Sequence, residues 1–375
     1  MKLQFSLLFI AGLLAFTSCK KDEDSIEEPG FTIPTTYNFE NVDYGGQTQR
    51  IGMLTELKAY MKSANNSGTA LDANKLAAMY TNDSANAGWS GTYDDSKVMR
   101  SKTFEGVQVT FDALLNDLAT ASQSAVAGVD GTAGVVTSND GAKNYLLNAK
   151  GVELGQVIEK SLMGALLYYQ SSGVYFEPGK IDTDNETVTA GKGTSMEHAF
   201  DEAFGYFGVP VDFPLNTDNV VFWGNYCNGR NDVLGSNKKV MDGFLKGRAA
   251  ISAKDIVARD EAIEAVRDEW ELVIAGTAIH YINSGLANFD DIAKRAHGLS
   301  EAIGFIYSLQ FSPTKSVTNA QIEELLILVG GSASILDSEL YNVTETNLNA
   351  AKAIQKLFPQ KIVKTFELRK ALQFQ

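Results

Sequence analysis

Apolar residues recur at steps of three and four along most of this 375-residue chain, the period of an amphipathic helix. Ile51, Leu54, Leu57, Tyr60 and Met61 mark a first helix starting near Gln49, and Asn65-Asn66-Ser67-Gly68 breaks it. Further helices are predicted over 71–80 and 104–122, with a polar loop over 82–102 between them. A Gly/Thr/Val loop over 128–141 carries a short strand at 134–137. Leu154, Val157, Ile158, Leu162, Leu166 and Tyr169 then stripe a long helix over 145–171, with Gly173 at a C-cap position. After an insertion over 177–193, Thr194 and Glu197 form a capping-box pair that opens another helix, which stops at Gly208-Val209-Pro210. An irregular stretch over 209–239 holds Phe222-Trp223-Gly224-Asn225-Tyr226. Five more helices are predicted over 239–250, 253–282, 289–308, 319–328 and 344–356. The pattern is all-α.

Two of these helices open with the same words. Residues 198–207 read HAFDEAFGYF and residues 297–306 read HGLSEAIGFI, and two of the three histidines of the chain begin them. The preceding long helices also match: Ile158-Glu159, Leu162, Gly164 and Tyr169 align at constant offset with Trp270-Glu271, Ile274, Gly276 and Tyr281. Self-similarity at long spacing is the mark of a duplicated unit. The expected architecture is therefore two duplicated helical bundles related by a pseudo-twofold axis, over 49–210 and 239–375, joined by the irregular segment 211–238. The recurring mid-helix glycines cost about 1 kcal/mol each in propensity, so they point to close helix approach.

The N-terminus follows a different logic. Lys2 and the apolar run from Phe5 to Phe16 read as a signal segment over 1–18, too short for a permanent span. Phe16-Thr17-Ser18-Cys19 resembles a bacterial lipobox, which makes Cys19 the expected acylated first residue of the mature chain. Residues 19–48 are the expected lipidated tether, and Lys20-Lys21-Asp22-Glu23-Asp24 resembles an acidic export tag for the outer surface. The expectation is an outer-membrane lipoprotein, a candidate for surface display, whose membrane partner is reached through the lipid. With Cys19 acylated, Cys227 has no internal partner for a disulfide.

Charge removes one class of partner. The formal net charge is −14, and loss of Lys2 with the signal leaves −15. Nucleic-acid binding by counterion release needs basic clusters, which are lacking.

Candidate chemistry rests on the two motifs. On a helix, residues four apart share a face, so His198 stands beside Glu202 and His297 beside Glu301. The apolar neighbours of both glutamates turn them inward, and buried charges persist when paired or metal-bound. As metal ligands, His198, Glu202, His297 and Glu301 with Glu159 and Glu271 supply the inventory of di-iron carboxylate bundles, which however use Glu-x-x-His. As structure, each pair is a buried clamp between helices. As acid–base catalysts they lack a nucleophile elbow, a zincin motif or a triad signature around them. The sequence is read as a binding protein for iron, another divalent metal or an iron-linked ligand, with the structural or interaction role as the alternative. His280 is expected to be a satisfied core residue, Cys227 incidental, and Trp223, Tyr226 and Phe222 either a stacking patch or packing.

With those motifs, the chain resembles the imelysin-like lipoproteins, which are iron-regulated, all-α proteins of two duplicated bundles. Their Gly-x-His-x-x-Glu motif implies a metal or ligand site near the bundle interface; here His198-x-x-Asp201 is the strict equivalent. The chain is also similar, across 35–375, to an uncharacterised Bacteroidetes lipoprotein family of unknown function. That likeness rests on Tyr37-Asn38-Phe39, Gly46-Gln47-Thr48-Gln49-Arg50, Ile158-Glu159-Lys160, residues 198–210, Phe222-Trp223-Gly224 and residues 297–309.

Overall fold

Short polar side chains set several helix starts in the computed structural model, which describes residues 30–352. The expected signal, Cys19 and the end of the last predicted helix (353–356) lie outside the described residues. Asp72, Asp255 and Asp291 accept hydrogen bonds from backbone N–H groups of their first turns, and Thr194 and Thr318 form capping boxes with Glu197 and Gln321. Left-handed Asn82, Gly235 and Gly331 end three helices.

The described residues form thirteen α-helices and one small hairpin. Helices α1 (Gly45–Ser63), α2 (Ala73–Thr81), α3 (Ser84–Ala87) and α4 (Gln108–Ser122) precede strands β1 (Gly134–Thr137) and β2 (Asn144–Leu147). Helix α5 (Leu154–Leu162) runs on through π-helical turns over Met163–Tyr168 and Ser171–Tyr175. Then follow α6 (Pro178–Ile181), α7 (Ser195–Gly205), α8 (Trp223–Leu234), α9 (Ser236–Ser252), α10 (Ile256–Ala287), α11 (Ile292–Ser308), α12 (Asn319–Gly330) and α13 (Glu345–Ala351). The all-α expectation holds.

Several local expectations are corrected. The helix expected from residue 145 begins at Leu154, because residues 144–147 pair antiparallel with β1 in the register Gly134↔Leu147. Asn148 then accepts from the backbone N–H groups of Lys150 and Val152, and Gly151 turns the chain at φ +77°. Gly173 caps nothing; it lies inside the second π-helical stretch. The stretch 209–239 is not irregular throughout, since α8 fills much of it. His280 is exposed, not a core residue. The expected tether is already part of the fold by Tyr37, which is 1% exposed and stacks on Phe204 with ring centroids 3.8 Å apart.

One contiguous hydrophobic core runs from Tyr37 to Ala351 and takes side chains from both expected halves. Its aromatic centre includes Trp223, whose indole N–H donates to Met163 O at 2.8 Å, with Trp270 and Phe305 edge-on to it. Helices α5 and α11 cross at two glycines. A Cβ on Gly164 would lie 2.6 Å from Ser308 Cα, and one on Gly304 would lie 2.4 Å from Lys160 Cβ. Both distances are below real contacts, so only hydrogen at these positions permits the crossing. That crossing brings the second motif helix against the charged residues of α5.

Candidate functional site

Helix α11 carries His297 and Glu301 on the face that meets α5. The His297 ring stacks on Tyr145 of β2, centroids 4.3 Å apart and nearly parallel. Its Nδ1 lies 2.6 Å from Glu153 Oε2, and its Nε2 lies 3.3 Å from Glu301 Oε1. The ring hydrogen-bonds Glu153 through Nδ1 and pairs electrostatically with Glu301 on the Nε2 side. Burial alone would lower the pKa of His297, but the hydrogen bond and charge of Glu153, aided by Glu301, hold it above the usual value.

A second layer of charge lies beside it. Lys160 Nζ sits 2.8 Å from Glu159 Oε1, and Lys58 Nζ of α1 sits 2.9 Å from the same oxygen. The side chains of Lys160 and Glu159 are each 3% exposed. Burial opposes both charges, yet each is kept ionised by the other: the Glu159 carboxyl is held low by Lys160 and Lys58, and the Lys160 ammonium is held high by Glu159 and Glu301. Asn65 donates to Glu153 at 3.3 Å, and Tyr226 OH of α8 lies 3.5 Å from Glu301 Oε2. These groups wall a pocket of about 240 Å³ that also touches Met61, Lys62, Leu118 and Gln156.

The six expected ligands therefore fall in three places. His297, Glu301 and Glu159 share the pocket. His198 and Glu202 of α7 form their own pair, Nε2 to Oε2 3.8 Å, with Glu202 accepting from Gln47 at 2.8 Å and Tyr175 at 3.1 Å. Gln47 and Lys58, which touch the two centres, stand eleven residues apart on α1, about 16 Å along its axis. Glu271 of α10 is elsewhere, accepting from the backbone N–H and the hydroxyl of Ser316 at 2.8 and 2.7 Å. Asp201, which the resemblance to imelysin-like proteins would place at the glutamate of their motif, is fully buried and bound to Arg248 and Tyr37, each at 2.9 Å.

A metal ion in this geometry would compete with partners already in place. Both nitrogens of His297 face carboxylates, and Glu159 is already shared by two ammonium groups. Among the described residues, no group of three or more His, Cys, Asp or Glu side chains is placed to hold one. Cys227 is buried, which pushes its thiol up to about 12 and leaves it unreactive at neutral pH. Trp223 is core packing, while Tyr226 belongs to the pocket wall.

Glu153, Lys160, Lys58 and Tyr145 were missed from the sequence. Lys160 left a trace: Ile158-Glu159-Lys160-Ser161-Leu162 sets two adjacent charges within a buried stretch. Glu153 and Lys58 left none, since their partners are distant along the chain.

The raised pKa makes a pH prediction. A histidine bound more tightly to its proton when folded stabilises fully below its unfolded value of 6.5, and this is lost as pH rises through the folded value. An NMR titration should place the His297 midpoint above 6.5. Wild-type stability should fall on going from pH 6 to 9 relative to His297→Gln; parallel profiles would show that the imidazolium is not stabilised.

Neither the curated proteins nor the solved structures contain a significant match to this chain. A family profile does match, over residues 34–358, and so spans α1 to α13 with both His-x-x-x-Glu motifs. The chain belongs to the family described as a domain of unknown function, DUF4856.

Proposed function

We propose that this chain is an envelope lipoprotein, anchored through Cys19, that binds a small charged molecule in the pocket around His297. One observation carries the binding role: a pocket open to Lys58 and Lys62 is walled by three carboxylates and matching cations, held in place before any ligand arrives. Preorganised polar groups converging on a cavity are what ligand sites need. The lipobox-like Phe16-Thr17-Ser18-Cys19 supports the anchor, and metabolic fatty-acid labelling tests it, with label on wild type and none on Cys19→Ala. Among the described residues no helix is long and apolar enough to cross a membrane. The likeness to the imelysin-like and Bacteroidetes lipoproteins supports an envelope location and a duplicated origin.

The divalent-cation reading has one observation in its favour, the meeting of Glu153, Glu159, Glu301 and His297 in one pocket. It requires the ion to displace Lys160 and the imidazolium proton. The clamp reading accounts better for Glu202, which ties α7 to Gln47 of α1 and to Tyr175, with His198 beside it.

Thermal-shift and equilibrium-dialysis measurements separate the three. Small organic anions should raise the melting temperature of the wild type and not of Lys160→Met. Stoichiometric uptake of iron, zinc or manganese that disappears in His297→Ala would replace this reading with the metal one. No uptake of either kind, with early melting of both variants, would leave only the clamp.

A further inference from the structure

The pocket around His297 has a neighbour. A second cavity of about 310 Å³ is walled by Thr55, Ala59, Val220, Val221, Phe222 and Asn225, and it shares Lys58 and Lys62 with the first. The two differ in chemistry. The first is lined by carboxylates, ammonium groups and an imidazole; the second presents mainly methyl groups and a ring. Lys58 stands on their border: its Nζ pairs with Glu159 on one side and lies 5.7 Å from the Phe222 ring centroid on the other.

Charge at the border is unbalanced. Lys58 and Lys160 share Glu159, and His297 lies between Glu153 and Glu301, so each of these groups has an opposite partner. The spare charge is Lys62, which is exposed and forms no ion pair among the described residues. It sits one turn beyond Lys58 on α1, at the rim common to both cavities. The backbone also marks the place. Phe222 adopts φ +46° and ψ −114°, a left-handed conformation that a bulky residue keeps only when its surroundings enforce it. It sets the ring at the head of α8, against Lys58.

Resting on the binding role proposed above, we infer that the ligand is an amphipathic anion: its single negative head group lies between Lys62 and Lys58 at the mouth of the His297 pocket, and its apolar chain lies along Ala59, Val220, Val221 and Phe222. Charge complementarity selects the head, since Lys62 at the shared rim has no anionic partner among the described residues. The apolar wall selects the tail, because a short polar ion would leave that surface wet.

Octanoate, acetate and octylammonium test this with the mature chain carrying Cys19→Ala, so that no attached lipid competes. Octanoate is expected to bind at least tenfold more tightly than acetate, which reads the tail, and at least tenfold more tightly than octylammonium, which reads the head. Lys62→Glu, at an exposed position, should weaken octanoate tenfold or more. Ala59→Asp, also on the exposed face of α1, should reduce octanoate to the affinity of acetate. If acetate binds as well as octanoate, the tail site falls while the pocket reading stands. If octylammonium binds better, or Lys62→Glu changes nothing, the head assignment falls. If no anion of either length binds, both readings fail together.

Discussion

Replacing Arg248 by Met is expected to lower the unfolding free energy by about 3–5 kcal/mol at pH 8, the usual cost of removing one partner from a buried ion pair. The Arg248 side chain is 1% exposed and serves two carboxylates: its Nε donates to Asp201 at 2.9 Å and its Nη1 to Glu197 at 2.6 Å. Asp201 is buried completely, and Tyr37 OH is its other donor. Methionine matches much of the volume but none of the charge, so the loss is electrostatic. That makes it depend on pH in a definite direction. Burial already pushes the Asp201 carboxyl up to about 7, against the pull of Arg248 and Tyr37. A group that holds its proton more tightly when folded makes stability fall as pH rises from its unfolded to its folded value. Without Arg248 the folded value climbs further, so the fall continues beyond pH 7. Urea unfolding of Arg248→Met should thus show a small deficit at pH 5 and the full one at pH 8. Adding Asp201→Asn should recover most of it, since Glu197 reaches solvent. An equal deficit at both pH values would mean that Arg248 acts through packing.

That cluster also shows where sequence reading stops. Thr194 and Glu197 were legible as a capping box, because the motif is local, and it is present. Glu197 has a second task, holding Arg248 and Ser252 of α9, which nothing within its own helix announces. The pairing of His297 with Glu301 followed from four-residue spacing. Glu153, which holds the other nitrogen of that ring, lies 144 residues away. Helix existence was legible from periodicity, but helix limits were not always. Tyr145, Leu146 and Leu147 are apolar and adjoin a helical stripe, so they read as its start; their pairing with β1 makes them strand. Helix α8 hid because Gly224, Asn225, Asn228 and Gly229 weaken its propensity, and tertiary packing of Trp223 overrides that. Gly235, left-handed just past its end, was the available sign.

The recurring mid-helix glycines gave the opposite case, a local weakness that carries tertiary information. Gly164→Ala separates two effects of opposite sign. Helix propensity alone predicts a gain of about 1 kcal/mol. The crossing predicts a loss, because the new Cβ would sit 2.2 Å from Ser308 Oγ and 2.6 Å from Ser308 Cα. The hydroxyl can turn aside, but the backbone atom cannot move without shifting α11. Overpacking of this kind costs about 1–3 kcal/mol for a methylene with room to adjust; against backbone the upper end applies, so a net loss of about 2 kcal/mol is expected, and more for Gly164→Val. The shift has a second readout. Ser308 Oγ lies 2.9 Å from Lys160 O, and α11 carries His297 and Glu301 to Glu153 and Lys160. Pushing α11 off α5 lengthens the His297–Glu153 hydrogen bond that opposes burial, and the imidazole pKa should drop toward or below 6.5. Chemical denaturation and the NMR titration of His297 report the two effects independently. A stabilised Gly164→Ala variant with an unchanged His297 titration would show that the helices do not need the close approach, and that the pocket is not positioned by it.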